Sequence, residues 1–312
     1  MESVLTVLPD FAIILLGFVL AKFKPFPRSF WGGIEVLVFN VLLPPMLFLS
    51  VANSHFSFAG SAKFLAAGLG AMALAVLTSW CIRYVVKADP ITHASLFQCG
   101  FRYNAYIGFP LCMRFCGDEG MSLLALLMSV WVPISNTLSV AVLATAVAAR
   151  TGGGAPDKRK LLVTTCKAVF KNPLIIATML GFLFNMSGLE MPRIGVDFLR
   201  HLSNASLSMG LLTIGAALKI GAIRENLSLI AATSLQRLVI VPLLGALCVW
   251  FFGVTGAAAG VVLLFAASPT AQSCYVMTAA MGGNAPPVAA VTTAQTLLSI
   301  FTLSALILIW FA

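Results

Sequence analysis

Hydrophobic residues occur in long continuous runs that recur from one end of the sequence to the other. A run of about 20 apolar residues is long enough for a helix to cross a hydrocarbon layer about 30 Å thick. Because backbone polar groups cannot stay unpaired in lipid, runs this long and this apolar are expected to be helices. The pattern predicts ten helical spans, at residues 4–21, 32–53, 62–86, 91–116, 120–149, 171–188, 196–218, 226–252, 256–281 and 285–311.

The composition is typical of an integral membrane protein. Of the 312 residues, 60% are hydrophobic and 9% are charged, whereas soluble domains are roughly a quarter charged. The mean hydropathy is +1.01. Once the spans are assigned, no soluble domain remains, so the predicted fold class is all-α and integral to the membrane.

The lysines and arginines predict the orientation of the spans, because cytoplasmic loops retain positive charge during insertion. With the amino terminus outside, the inner loops hold Lys22, Lys24, Arg28, Arg83, Lys87, Arg150, Lys158, Arg159, Lys160, Lys167, Lys171, Lys219 and Arg224. The outer side holds only Lys63, Arg114, Arg193 and Arg200. We therefore expect both termini outside the cytoplasm. The net charge of +9 reflects this topology, and no basic soluble face is left for nucleic acid.

A polar segment, RTGGGAPDKRK at residues 150–160, divides the chain into two halves. Its glycines, proline and clustered positive charge are typical of a loop. We expect a first five-helix repeat at 1–149, a cytoplasmic linker at 150–170 and a second five-helix repeat at 171–312. Because five is odd, the second half must enter the membrane from the opposite side, which makes the two repeats inverted relative to each other.

The fourth and ninth spans contain residues that do not suit a lipid-facing helix. The segment FRYNAYIGFP at 101–110 brings a charge, an amide, two tyrosine hydroxyls, a glycine and a proline to membrane depth. Proline removes an N–H donor and glycine loosens the chain, so Gly108 and Pro110 are expected to interrupt the helix. The segment SPTAQS at 268–273 is expected to break the ninth span at Pro269. A single proline is often only a kink, but two matched breaks in inverted repeats indicate a transporter's binding site.

Each break frees the amino terminus of a half-helix, whose partial positive charge attracts anions. Arg102 adds a full charge, and its planar guanidinium suits a carboxylate. We therefore predict that the substrate is a small organic anion. Arg102 could instead extend toward the membrane surface or neutralise an internal acid, and Asn104 could bind substrate or pair with freed backbone groups. The predicted substrate-binding residues are Arg102, Tyr103, Asn104, Gly108, Pro110, Asn136, Pro269, Thr270, Gln272 and Ser273.

Three further charged residues lie in predicted spans. Asp10 and Glu35 could couple transport to protons or could pair with basic residues, and Arg237 could be a charge partner between helices. The seven cysteines have neither zinc-site nor redox spacing, and the three histidines are scattered. We expect no catalytic residues, no metal and no cofactor, although proton or sodium coupling stays open.

Several motifs resemble those of the auxin efflux carrier family. An asparagine followed closely by Gly-x-Pro in the fourth span is matched by Asn104, Gly108 and Pro110. The second span's NVLLPPMLF, the seventh's SMGLLTIGAAL, the proline-and-small-residue break of the ninth and the last span's TTAQTLLSIFTL follow in the family's order. The resemblance covers essentially the whole chain, and it identifies the chain as similar to bacterial members, which lie in the inner membrane.

The resemblance implies a fold like that of the inverted-repeat sodium–proton exchangers and bile-acid symporters. In that fold the first, second, sixth and seventh spans form a scaffold, the others form a moving domain around crossed helices 4 and 9, and the scaffold makes a homodimer. Known substrates of relatives include auxin and dicarboxylates such as malonate and malate. Arg102 departs from the plant carriers and favours a more anionic ligand than auxin. The expected function is therefore secondary transport by alternating access; the alternative is a membrane-embedded ligand sensor or regulatory subunit without transport.

Overall fold

The protein is built from helices throughout the part of the chain that the computed structural model describes, residues 8–23, 26–53, 58–151, 163, 171–219 and 227–311. The predicted linker at 150–170 lies almost wholly outside these residues. The α-helices are α1 Leu8–Lys22, α2 Arg28–Leu37, α3 Leu43–Ala52, α4 Phe58–Val85, α5 Pro90–Phe97, α6 Ala105–Thr151, α7 Pro173–Ser187, α8 Arg193–Ala217, α9 Leu227–Leu235, α10 Val241–Phe252, α11 Gly256–Ala267, α12 Ser273–Ala280 and α13 Ala285–Trp310.

Length and composition qualify five of the described helical segments as membrane spans. They are Ser29–Ala52, Ser61–Val85, Ala105–Arg150, Leu227–Phe252 and Ala285–Trp310. Two shorter apolar helices, Pro173–Ser187 and Gly256–Ala267, fall below that length. The prediction of an all-helical chain with several apolar, membrane-spanning helices is confirmed.

The second and eighth predicted spans share one local distortion. In each, a widened π-helical turn joins two α-helices, at Val38–Leu42 between α2 and α3 and at Gln236–Ile240 between α9 and α10. A proline stands two positions after each π turn, Pro44 and Pro242. Proline cannot donate to the carbonyl four residues earlier and presses against it, and a π turn accommodates that misfit. The irregularity falls in the second span of the first half and in the third span of the second half, so a five-helix repeat does not relate the two π turns to each other.

Helix α6 is broken at Gly117, whose backbone angles are φ 62 and ψ −160. A positive φ of this kind favours glycine, which has no Cβ to clash with the backbone. The break separates residues 105–116 from residues 118–151. These two segments match the end of the fourth predicted span and the whole of the fifth.

The interruption of the fourth span lies earlier than we predicted. α5 ends in a 3₁₀ turn at Gln98–Gly100, residues 101–104 are non-helical, and α6 starts at Ala105. Gly108 and Pro110 therefore lie inside a helix, and the prediction that they interrupt it was wrong. Asn104 caps this helix: its Oδ1 accepts a hydrogen bond from the Tyr106 N–H at 3.1 Å, as is typical of asparagine at a helix start.

The ninth span is interrupted where Pro269 predicts. α11 ends at Ala267, residues 268–272 are non-helical, and α12 begins at Ser273. Proline disfavours helical geometry in the residue before it, and Ser268 has extended angles (φ −62, ψ 140). The fourth and ninth spans thus each consist of two short helices separated by a non-helical segment.

The helices pack in two groups. α1, α2, α3, α7 and α8 contact mainly one another, whereas α4, α5 and α9 to α13 form a second group. α6 contacts helices of both groups. The larger hydrophobic core runs through α3, α4, α6, α10 and α11.

Two glycines bring α1 and α8 into close contact within the first group. A Cβ atom added at Gly17 would overlap the carbonyl of Leu212, and one added at Gly215 would overlap the carbonyl of Ile14. Small residues at a helix contact let two backbones approach closely, which favours association in membranes. This contact joins the amino-terminal half of the chain to the carboxyl-terminal half.

Candidate functional site

The two non-helical segments cross and pair with each other. Tyr103 and Thr270 form an isolated antiparallel bridge, and the Asn104 N–H donates to the carbonyl of Pro269 at 2.9 Å. Each segment therefore satisfies part of the backbone that the other leaves without helical partners. Non-helical backbone at membrane depth is tolerated when it is buried in protein or lines a cavity, and this crossing meets that condition.

Buried amides hold the crossing in place. Gln295 on α13 accepts a hydrogen bond from the Thr270 N–H at 3.1 Å, and the Thr270 hydroxyl lies 2.5 Å from the same oxygen. The Thr270 hydroxyl also contacts the carbonyl of Cys99. The Gln295 Nε2 in turn donates to the carbonyl of Thr233 at 3.2 Å. Thr270 is fully buried, and both its N–H and its hydroxyl are taken up by contacts that support the crossing.

The 101–104 segment is anchored by two further side chains. The Trp131 indole N–H donates to the carbonyl of Phe101 at 3.2 Å. The Gln236 Nε2 donates to the carbonyl of Gly100 at 3.3 Å. Both contacts pair carbonyl groups that a continuous helix would have satisfied. The position of the break is thus fixed from α6 on one side and from the π turn of the eighth span on the other.

Arg102 spans the gap between the two broken helices. Its guanidinium donates to Gln98 Oε1 at 3.0 Å and to Ser273 Oγ at 3.1 Å, and it contacts the Met277 sulfur at 3.2 Å. All three partners are neutral. In the described part of the chain the one ion pair joins Arg114 to Asp10, at 3.2 Å. Arg102 therefore forms no ion pair with any described carboxylate.

A cavity of about 220 Å³ opens beside the crossing. Its walls come from α2, α3, α6 and α7 as well as from both non-helical segments. The polar side chains that line it include Glu35, Arg102, Asn104, Ser129, Asn136, Asn172, Gln272 and Ser273. Aliphatic and aromatic side chains, among them Phe39 and Trp131, cover the remaining wall.

Three amide side chains in the cavity wall each have one atom without a hydrogen-bond partner in the described structure. They are Asn104 Nδ2, Gln272 Nε2 and Asn136 Oδ1. Buried polar groups are normally paired, and an unpaired one costs about 1–3 kcal/mol. Such groups are expected to find their partners in a bound ligand or in ordered water. The residues beside the cavity therefore leave two buried donors and one buried acceptor unpaired.

The predicted site residues divide between the cavity wall and the framework behind it. Arg102, Tyr103, Asn104, Asn136, Gln272 and Ser273 line the cavity. Gly108, Pro110, Pro269 and Thr270 do not. Gly108 has a packing role, because a Cβ atom there would lie 2.5 Å from Tyr103 Cε2. Pro269 supplies the carbonyl that pairs with Asn104.

The three charged residues that we singled out as coupling or charge-partner candidates have different surroundings. Asp10 pairs with Arg114, one of whose nitrogens lies 3.2 Å from Asp10 Oδ2. Glu35 lines the cavity. Arg237 is fully buried and donates to the carbonyl of Phe265 at 3.3 Å, and its Nε and Nη1 have no hydrogen-bond partner among the described residues. In the described part of the chain, no acidic side chain forms an ion pair with Arg237.

Sequence reasoning missed the amides that support the crossing. Gln98, Gln236 and Gln295 are all buried, and each contacts a non-helical segment or Arg102. The signal was present in the sequence, since an amide inside an apolar span is costly unless it has a structural or functional partner. Which carbonyl each amide meets depends on contacts between distant parts of the chain.

Comparisons with known proteins agree with this architecture. The family model described as "Membrane transport protein" matches residues 2–307. An "Uncharacterized transporter" of Methanothermobacter thermautotrophicus is 24% identical over 282 residues, which cover 89% of this chain and 88% of that protein. A "Putative malonate transporter" of Rhizobium meliloti is 21% identical over 304 residues, which cover 96% of this chain and 93% of that protein.

The family match runs through every described helix, and both relatives align over nearly their full lengths. With several apolar helices long enough to cross a membrane, these matches point to a multi-pass membrane transporter and not to an enzyme. The chain therefore belongs to the membrane transport protein family of auxin efflux carriers.

Proposed function

We propose that the protein is a secondary transporter that moves a small organic anion, with a dicarboxylate such as malonate as the best candidate. The observation that carries this proposal is the environment of Arg102. Its guanidinium lies in the wall of an internal cavity, at the crossing of two broken helices, and contacts only neutral groups among the described residues. A charge in that position is costly unless an anion balances it.

Helix termini add to the positive potential at the same place. α6 starts at Ala105 and α12 starts at Ser273, so two helix amino termini meet beside the cavity. Each carries a partial positive charge of about half an elementary charge. Ser273 is also a hydrogen-bond partner of Arg102. These termini and Arg102 together favour a carboxylate over a neutral or cationic ligand.

The size and polarity of the cavity favour a short dicarboxylate. At about 220 Å³, it is smaller than the pockets of about 300–1,000 Å³ that hold drug-sized ligands. Arg102 can bind one carboxylate, and the unpaired donors of Asn104 and Gln272 can bind a second. One similar protein is described as a "Putative malonate transporter", which accords with this substrate class.

Transport by alternating access requires that the site lie between two bodies that can shift. The position of the cavity supports this mechanism, because Glu35 and Phe39 line it from the α1–α3, α7 and α8 group, whereas Gln272 and Ser273 line it from the second group. We assign the first group as scaffold and the second as moving domain. Glu35, which faces the cavity from the scaffold, is our candidate for proton coupling.

We further propose ten membrane crossings in two inverted five-helix repeats. The two broken spans, each the fourth of its five-helix half, support this assignment. The distribution of lysine and arginine supports an inner-membrane location with both termini outside the cytoplasm. In line with the family resemblance, we also propose a homodimer formed through the scaffold.

Uptake into proteoliposomes tests the function directly. Purified protein would be reconstituted and assayed with radiolabelled malonate, using neutral malonamide as competitor. Arg102→Gln and Asn104→Ala should each lower uptake at least about tenfold, because they remove the charge complement or an unpaired donor. Arg193→Gln is the matched charge-loss control, since Arg193 is exposed at the start of α8.

The outcomes separate the proposal from its alternative. Uptake that survives both substitutions unchanged would refute the site, and competition by malonamide equal to that by malonate would refute the anion. Specific binding of malonate without any flux would instead show a ligand sensor.

A further inference from the structure

A second groove lies away from the candidate substrate cavity and shares no lining residue with it. It has a volume of about 670 Å³. The end of α4, the beginning of α5 and the far part of α6 form its walls. The lining residues used below are Trp80, Arg83, Lys87, His93, Phe97 and Ala146.

One end of the groove is basic. Arg83, Lys87 and His93 all line it, and no aspartate or glutamate does. None of the three forms an ion pair with a described residue. The nearest acid in the sequence, Asp89, is occupied as the cap of α5, since its carboxylate accepts hydrogen bonds from Thr92 N–H at 3.0 Å and from Thr92 Oγ1 at 2.6 Å. Among the described residues, no acidic side chain therefore forms an ion pair with Arg83 or Lys87.

Arg83 is held in an orientation that suits a phosphate. Its guanidinium carbon lies 4.7 Å from the centroid of the Trp80 ring and 5.0 Å from that of the Tyr84 ring. Stacking on aromatic faces uses the plane of the guanidinium and leaves its edge, with its N–H donors, available for bidentate contacts.

The rest of the groove is mainly apolar, and the hydroxyls of Ser79 and Thr145, which also line it, donate to backbone carbonyls. Phe97, Ala141, Val142 and Ala146 line it, and the small side chains on α6 leave a slot beside the helix. Trp80 is partly exposed at the border between this apolar slot and the basic end, where tryptophan is typical of membrane–water interfaces. A ligand that fills the groove therefore needs an anionic head and an apolar chain.

We propose that this groove binds an anionic phospholipid, with the phosphate at Arg83, Lys87 and His93 and one acyl chain along Phe97 and α6. Basic pockets between membrane helices on the cytoplasmic side are suited to acidic headgroups, and the positive charges of the 83–87 segment predict that side for this groove. The apolar slot distinguishes the site from one for free phosphate. The inference does not depend on the identity of the transported substrate.

Native mass spectrometry of the full-length protein in detergent tests this site. The probes are phosphatidylglycerol, phosphatidylcholine with the same acyl chains, glycerol phosphate and inorganic phosphate. The Arg83→Gln/Lys87→Gln variant should lose roughly 25-fold in affinity for phosphatidylglycerol, because each basic residue near a membrane surface contributes about a fivefold factor. The matched control is Lys63→Gln/Arg200→Gln, which removes two exposed charges, one of them from the other end of α4.

A second measurement guards against a folding defect in the double variant. Phosphatidylglycerol with brominated acyl chains should quench the fluorescence of the unsubstituted protein, and Trp80→Phe should remove that quenching component. The proposal stands if phosphatidylglycerol binds more tightly than phosphatidylcholine, the control pair leaves its affinity unchanged and Trp80 is quenched. It is overturned if the double variant binds phosphatidylglycerol as wild type does, if phosphatidylcholine binds equally well, or if inorganic phosphate or glycerol phosphate competes as strongly as the lipid.

Discussion

Gly108→Ala tests whether the crossing, and not merely the polar residues around it, determines substrate binding. A Cβ atom at this position would lie 2.5 Å from Tyr103 Cε2 and 3.2 Å from its hydroxyl oxygen. The Tyr103 ring has little room to retreat. Its centroid lies 4.3 Å from that of Phe265, and its hydroxyl lies 3.1 Å from the Met128 sulfur. The added methyl group must therefore displace the ring or the backbone that carries it.

The magnitude follows from two opposing effects. Replacing glycine by alanine inside a helix stabilises by about 1 kcal/mol, whereas overpacking a filled core costs about 1–3 kcal/mol. The net loss of stability should therefore be no more than about 2 kcal/mol. Tyr103 lines the cavity and forms the bridge to Thr270. A shift of its ring should therefore lower substrate affinity at least about tenfold, which corresponds to about 1.4 kcal/mol.

Thermal unfolding and malonate binding on the same preparations would separate the two effects. The matched control is Gly32→Ala on α2, because a Cβ atom there would meet nothing within 4 Å; it should raise stability slightly and leave binding unchanged. If Gly108→Ala binds and transports malonate as wild type does, the reasoning that links the packing of Tyr103 to the site is wrong.

Three other substitutions test individual contacts. Gln295→Leu should lower the free energy of unfolding by about 1–3 kcal/mol, because it leaves the buried Thr270 N–H without its partner, and thermal unfolding in detergent would show no change if that hydrogen bond is unimportant. Arg237→Met should leave stability unchanged or raise it, since it replaces a buried, poorly paired charge with an apolar chain of similar length; a large drop in the melting temperature would contradict this. Asp89→Asn should remove one contribution to the free energy of unfolding that depends on pH. Slight burial favours a higher pKa of the Asp89 carboxyl, but hydrogen bonds from Thr92 outweigh it and hold this pKa below its usual value. The contribution is therefore present above the unfolded-state pKa and lost as the pH falls through the lowered one. Unfolding curves of wild type and variant at pH 7 and at pH 3 should converge at the lower pH, and a constant difference would refute this assignment.

The sequence was sufficient to predict most of the helices and one of the two breaks. Apolar runs define spans because the lipid permits few other backbone structures. The break at Pro269 could be predicted because proline disfavours helical geometry in the residue before it. The boundary between the fourth and fifth spans was also predictable, and it falls at Gly117, the residue best suited to a positive φ.

The break in the fourth span was misplaced because its position depends on tertiary contacts. Pro110 lies in the second turn of α6, and the helix continues through it, while Gly108 admits the Tyr103 ring. Residues 101–104 leave the helix because Pro269 and Thr270 pair with them. A local rule about proline and glycine contains no information about a partner such as Pro269, which lies 165 positions after Asn104.

Side-chain partners were likewise beyond local reasoning. The ion pair of Asp10 with Arg114 joins α1 to α6, and the hydrogen bonds of Gln295 join α13 to both the ninth-span break and α9. Composition could flag each residue as unusual inside an apolar span, but only the packed structure shows which group each one meets. Arg102 was the exception, because the sequence alone singled it out as a charge beside a break, although it misplaced that break by several residues.

Equilibrium binding of malonate to wild type and to Arg102→Gln, measured by isothermal titration calorimetry with neutral malonamide as the reference ligand, tests the central claim most directly. A hydrogen bond to a charged group contributes about 1.5–3 kcal/mol, so the substitution should weaken malonate binding about tenfold to 150-fold, and malonamide should bind neither protein well. Equal affinity of wild type and variant for malonate would contradict the claim that an unbalanced arginine at the crossing of two broken helices selects an organic anion.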